Sequence, residues 1–317
     1  MLSAPSLVLE GRLEGRALVP AAFSPAWLGL VEHGRPLDRR RLPWRPDLAA
    51  DWLAGMVESS RYVVGEPQRV RIGWTDVRDD PELTAPRISQ VLFGERFTVY
   101  DRRDHWAWGQ ADSDGYAGWV EAAALGLEPG AHPPSHRVAV RLTHLYPQPD
   151  LKTGPVAVLP LSAAVTVIGD SNGFAELACG GWVFARHLVA IGQPESDFVS
   201  VAGGLLGTPY LWGGRTAEGI DCSGLVQLAL AMTGRAAPRD SDMQRRELGR
   251  AVDCGAELVL RRGDLVFFPG HVGLMADGVH LLHATAAVMA VTVEPLAQVM
   301  ERVARTGGGL LAVRRCT

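Results

Sequence analysis

The sequence predicts an α+β chain in which two small β-barrels precede a mixed helix–strand domain. Three observations lead there. A set of short alternating strands recurs at an offset of 68 residues, a nearly all-apolar helical stretch follows Asp221, and tight-turned strands follow Arg262. The 317 residues are 47% hydrophobic and 21% charged, a globular composition that argues against disorder. Their length suggests two or three domains, at a prior of about 150 residues each. The net charge of −4 argues against a polyanionic partner such as nucleic acid, and no apolar run reaches the ~18 residues of a membrane span.

Residues 1–64 read as a lead-in that packs over a neighbour and carries one helix, Arg45 to Val64. Asp47 would cap that helix, with Leu48, Trp52, Met56 and Tyr62 on one face. The N-terminus has neither a basic region nor a sustained apolar core, so a secretory signal is not expected and the protein reads as cytoplasmic. Cysteines 179, 222, 254 and 316 are few and scattered, which suits a reducing compartment and no disulfide framework. Cys179, Cys254 and Cys316 read as core or incidental residues.

The repeat occupies residues 65–127 and 136–192. Thr75 aligns with Thr143, Pro81 with Pro149, Val99 with Val167 and Trp106 with Phe174. The offset then drops to 63, where Trp119 meets Trp182, because the first copy has the longer hairpin. Strands this short bury a core by closing into a barrel. Gly94-Glu95 leading to Val99, the Trp106-x-Trp108 strand and the closing Gly118-Trp119-Val120 resemble the bacterial SH3 family. The second copy has Phe174 and Glu176 where the first has its tryptophan pair, so a spacer role is expected of it.

From residue 193 the texture changes. A short helix from Asp197 leads to a Pro209–Gly214 turn, and Asp221 is a natural cap for a helix that Gly234 ends. Cys222 would then sit in the first turn, where unpaired N–H groups and the helix dipole favour a thiolate, although a buried cysteine is as often a small hydrophobe. A thiol nucleophile needs an imidazole base and a group to orient it. His271 starts one predicted strand and His283 ends the next, so a hairpin places them side by side. His280 is three residues from His283, which strand alternation puts on the other face, towards solvent.

Five motifs in this order resemble the NlpC/P60 family of papain-like cell-wall peptidases: Pro209-Tyr210-x-Trp212-Gly213-Gly214, Asp221 to Val226, Arg262 to Phe268, His271-Val272-Gly273 and His283-Ala284. The resemblance covers residues 195–317, within a catalytic domain expected over 193–317, and implies Cys222 as nucleophile, His271 as base and His283 as its orienting group. The Cys222 N–H would be one oxyanion donor. Two bacterial SH3 domains ahead of such a domain are similar to the dipeptidyl-peptidase VI branch. Its members cleave the γ-D-glutamyl–L-diamino acid bond of murein tripeptides or tetrapeptides with a free N-terminal L-alanine. That likeness implies a substrate pocket built from Tyr210, Asp221, Ser223, Asp240 and Ser241, narrowed by Tyr116 of the first SH3 copy, with Glu82 as a second acid for the substrate ammonium. Neither cofactor nor metal is implied, and no HExxH-type spacing is present. An amidase or acyltransferase on the same fold, or an inactive murein-peptide binder, remain the alternatives.

Overall fold

The computed structural model describes residues 38–127, 133–255 and 258–316. Residues 1–37, the larger part of the lead-in, lie outside the described residues. The remainder of the lead-in corrects the expectation of a helix. Trp44–Arg45 pairs antiparallel with Leu48–Ala50, which pairs parallel with Tyr62–Val63, and Asp51–Leu53 is a single 3-10 turn. Tertiary burial overrides the helical spacing here. Leu48 is wholly buried among Trp106, Trp108 and Trp119 of the first barrel, and Ala49, Ala50 and Leu53 form a small core of their own. Asp47 caps nothing; its carboxylate takes two bonds from the Arg45 guanidinium, which lies 4.4 Å from the Trp108 ring centroid.

Residues 66–126 make a seven-stranded sheet in the order 125–126, 66–70, 96–103, 106–111, 117–121, 74–78, 87–92. It wraps one core of Val70, Val77, Val91, Phe97, Val99, Ala107, Ala111 and Val120. Residues 136–190 form three smaller sheets around Val138, Leu159, Val165, Leu177 and Val183. Phe93 of the first unit is buried in this second core, and Gly94 follows it at φ +77, where L side chains are strained. A Cβ on Gly94 would lie 1.9 Å from the Ala164 carbonyl oxygen. The two β units therefore meet through backbone packed too closely for any side chain.

The C-terminal domain holds helices α1 (Phe198–Gly203), α2 (Cys222–Met232), α3 (Ser241–Glu247) and α4 (Leu296–Arg305). Its strands are β1 (Arg250–Val252), β2 (Asp264–Phe268), β3 (His271–Met275), β4 (His280–Thr285), β5 (Ala290–Pro295) and β6 (Ala312–Arg315). They form one antiparallel sheet in the order β1-β6-β2-β3-β4-β5. Every residue of α2 except Ala231 is buried, as its apolar circumference requires. Leu225, Val226, Leu228 and Leu230 pack with Leu265, Phe267, Val272, Leu274 and Leu282 of the sheet. At roughly 1.5–3 kcal/mol per buried aliphatic side chain, this packing holds the start of α2 rigidly against β3.

Gly94→Ala is expected to destabilise the protein by about 2–4 kcal/mol, combining positive-φ strain with displacement of the Ala164 backbone. Urea unfolding followed by tryptophan fluorescence checks this; an unchanged midpoint would refute the close-packed seam.

Candidate active site

The start of α2 is built around Asp221. Its carboxylate caps Gly224 N–H at 2.7 Å and accepts from Gly213 N–H at 2.9 Å, tying the Pro209–Gly214 turn to the helix. Gly213 sits at φ +74 with the Arg87 backbone 2.9 Å from where its Cβ would be, so the turn admits only glycine. Cys222 follows at the first helical position, 6% exposed, and no backbone carbonyl among the described residues takes its N–H. That N–H is one of the orphan donors of a helix start, free for an oxyanion.

Burial pushes the Cys222 thiol up to about 12, with the Asp221 charge adding to the rise and the Val272 N–H opposing it. His271 moves the other way, lowered to about 3 by burial and then by His283. The resting pair is thus thiol and neutral imidazole. No hydrogen bond joins the two side chains; His271 Nε2 is instead 2.8 Å from His283 Nδ1, leaving His271 Nδ1 without a partner among the described residues. His283 is fully buried within β4 rather than at its end, and its Nε2 lies 2.7 Å from Glu294 Oε1. Glu294 in turn receives both Arg302 amino groups, at 2.9 and 2.6 Å. His280 turns away and bonds Asp277 at 2.8 Å, half exposed, as strand alternation predicts.

Arg239, 1% exposed, bonds both Asp221 oxygens (3.0 and 2.6 Å) and the Ser223 hydroxyl (2.8 Å), so one guanidinium braces the residues on either side of Cys222. Its Nε donates to Ser89 of the first barrel at 3.0 Å. Gln227 of α2 reaches Asp114 of that barrel at 2.9 Å, and Arg215 pairs with Glu95 at 3.0 Å. These contacts bring the Asp114–Tyr116 hairpin to the C-terminal domain, where Tyr116 donates to Asp240 Oδ2 at 3.0 Å. Asp240 stands at the N-cap position of α3 but caps nothing, its side chain being turned to Tyr116. Burial pushes the Asp240 carboxyl up, opposed by Arg239 and Arg40. Tyr210 is half buried, its phenol raised to about 12 by burial and by Cys222 and Asp221 nearby.

Residues 207–304 match the NlpC/P60 family, and residues 77–125 match the bacterial dipeptidyl-peptidase SH3 domain. The chain carries an NlpC/P60 domain behind a bacterial SH3 domain. It is 28% identical over 254 residues to a γ-D-glutamyl-L-lysine dipeptidyl-peptidase of Bacillus subtilis, covering 72% of this chain and 80% of that protein. A Bacillus cereus protein of the same name is 29% identical, with 66% and 70% covered. Dipeptidyl-peptidase 6 of Lysinibacillus sphaericus is 35% identical over 112 residues, 35% of this chain and 40% of that one. A solved NlpC/P60 family structure from Bacillus cereus shares the fold at TM-score 0.67 and 21% identity, covering 79% of this chain and 99% of that one. These similarities support a peptidase.

The NlpC/P60 domain thus gathers Tyr210, Asp221, Cys222, Ser223 and Asp240 with Tyr116 of the SH3 domain, while Ser241 begins α3 beside Asp240. Glu82 makes no hydrogen bond to any of these residues. It is exposed in the turn-held 79–86 loop, with its N–H on Asp80, and its carboxylate makes no hydrogen bond or ion pair among the described residues. Sequence reasoning missed four residues: Arg239, Glu294, Arg302 and Arg40. Arg40, from the lead-in, bonds Asp240 Oδ2 at 2.7 Å together with Asp38 and Asp242. Only Arg239 had a local signal, as neighbour of Asp240.

Arg239→Met leaves Asp221 buried without its counter-charge and is expected to cost about 3–5 kcal/mol of stability, read by denaturant unfolding. A raised thiol pKa means less thiolate at pH 7, so Cys222 alkylation by iodoacetamide should keep climbing past pH 9. Peptide mass spectrometry at Cys222 checks this, and a plateau by pH 8 would contradict it.

Proposed function

We propose that the protein is a cysteine endopeptidase that hydrolyses the γ-D-glutamyl–L-diamino acid bond of murein-derived tripeptides or tetrapeptides with a free N-terminal L-alanine, recycling them in the cytoplasm. The observation that carries this reading is the Tyr116–Asp240 hydrogen bond, in which the SH3 domain meets the residue after Arg239, the arginine that braces Asp221 and Ser223 on either side of Cys222. A small site ended by a carboxylate and a phenol suits a short peptide with a free ammonium, since charge-assisted bonds to Asp240 replace its hydration. Asp240 Oδ2 is occupied by Tyr116 and Arg40, and Oδ1 has no partner among the described residues. A peptide still joined to glycan through its alanine has no ammonium to offer and would meet the Tyr116 wall. The names of the Bacillus relatives support the same bond class.

The chemistry follows from the resting protonation states. Neutral His271 takes the Cys222 proton as sulfur attacks the γ-glutamyl carbonyl carbon, so an imidazolium and a tetrahedral oxyanion form together. The Cys222 N–H is positioned for that oxyanion. The imidazolium returns its proton to the departing amine, the C–N bond breaks, and a thioester remains on Cys222. Water, deprotonated by the again-neutral His271, attacks the thioester; the C–S bond breaks, the imidazolium returns its proton to the Cys222 sulfur, and L-Ala-D-Glu leaves. The cytoplasmic assignment is supported by the four cysteines, all free and so compatible with a reducing compartment.

The test mixes the protein with L-Ala-γ-D-Glu-L-Lys, its diaminopimelate counterpart and the N-acetylated forms of both, with Cys222→Ser as the blank, and follows products by mass spectrometry. Release of L-Ala-D-Glu from the free-amine peptides alone is the expected result. Tyr116→Phe removes one bond to Asp240 and should lower kcat/KM about tenfold, through KM. Equal cleavage of acetylated peptides would refute the ammonium pocket. No cleavage by folded protein would refute the peptidase itself.

A further inference from the structure

We propose that Glu294 is the positioning residue that sets the tautomers of both active-site histidines, leaving an unprotonated His271 Nδ1 for the thiol. One line of contacts fixes where the protons sit: Glu294 Oε1 to His283 Nε2 at 2.7 Å, then His283 Nδ1 to His271 Nε2 at 2.8 Å. Each contact needs one hydrogen between its two atoms. Neutral imidazole carries one N–H and one lone pair, so each ring can supply a hydrogen to one neighbour only.

Glu294 breaks the symmetry of this line. Arg302 donates to both of its oxygens, at 2.9 and 2.6 Å, so the carboxylate is an acceptor and has no hydrogen to give. Arg302 also holds the Glu294 carboxyl down to about 2, so it stays ionised at neutral pH. The hydrogen in the first contact therefore belongs to His283 Nε2. His283 is fully buried, and burial lowers its pKa despite Glu294, so the ring is neutral and its Nδ1 holds a lone pair. The hydrogen in the second contact must then come from His271 Nε2. His271, also neutral, keeps its lone pair on Nδ1, which has no hydrogen-bond partner among the described residues. With the hydrogens reversed, two lone pairs would face each other at 2.7 Å and His271 Nδ1 would carry a proton, useless as a base.

Strand geometry makes the relay possible. Across the β4–β5 ladder His283 faces Thr292 and Leu281 faces Glu294, so Glu294 is the diagonal neighbour of His283, within reach of a long side chain. Arg302 arrives from α4, two turns after Glu294 leaves β5. When the thiol proton moves to His271 Nδ1, both relay hydrogens stay in place and an ionised carboxylate faces the new imidazolium through His283. No proton crosses the relay.

This inference rests on Cys222 and His271 being the nucleophile and base, and its readout does not require turnover. Glu294→Met removes the acceptor at similar length; Arg302→Met removes the guanidinium and leaves the carboxylate. Nitrogen-15 spectra of histidine-labelled full-length protein distinguish protonated from lone-pair ring nitrogens. Wild type and Arg302→Met are expected to show His271 with Nε2–H and bare Nδ1, whereas Glu294→Met should populate the reversed tautomer. For the peptide substrate, Glu294→Met should lower kcat on the order of 100-fold with KM little changed, less than the ~10⁴-fold loss when a directly bonded orienting carboxylate is neutralised in a serine triad. A folded Glu294→Met protein with the wild-type tautomer, or equal kcat losses in both variants, would overturn the proposal. Wild-type protein with the expected tautomers but no cleavage of any peptide would instead overturn the peptidase reading alone.

Discussion

Burying a guanidinium beside a carboxylate removes two ions from water, and the ion pair between Arg239 and Asp221 recovers that cost only through complete hydrogen bonding. Both Asp221 oxygens, the Ser223 hydroxyl and Ser89 across the domain boundary supply it. Much of the site hangs on this arrangement. Asp221 caps α2 and holds Gly213 from a buried position that Arg239 braces, and the cap places Cys222 in the first turn. Because Ser89 completes the guanidinium's partners, the first barrel is part of the active-site wall rather than a tethered module.

The barrel turns two faces to two tasks. Its Asp114–Tyr116 hairpin meets α2 and Asp240, where a phenol can shape the site. Its tryptophan face, the surface a free SH3-like unit would leave open, is filled by Leu48 and Arg45 of the lead-in. The same lead-in carries Arg40 to Asp240 and Arg41 to Glu247 of α3. Residues 38–64 therefore staple the first barrel to the C-terminal domain, with the carboxylate of Asp240 among the groups they touch.

Much of the site was readable because its parts are local. A cap and the residue after it, a glycine turn, and two histidines on adjacent strands all lie within short windows whose spacing follows from helix and strand geometry. The helix assigned to residues 45–64 failed for the opposite reason. Its apolar residues have helical spacing, but as a strand Leu48 is buried against the barrel's tryptophans while Ala49 and Ala50 are buried with Leu42 and Leu53, more than one face of an isolated helix offers. Glu82 was legible only through the resemblance: an acid in a loop has no periodicity to aim it, and the turn bonds of residues 79–86 leave its carboxylate exposed.

By itself the sequence determined the α+β class, the order of the units, the helix that carries Cys222 and the hairpin that pairs His271 with His283. Those features depend on contacts between residues close in the chain and on apolar patterning. The tertiary structure alone decided which charges meet: Arg40 with Asp240 across 200 residues, Tyr116 with the same carboxylate across 124, and Glu294 with His283 through a ladder register. Ion pairs and hydrogen bonds act over a few ångströms whatever the chain separation. Packing of the barrels and the sheet had to bring these groups together before their charges could select a partner.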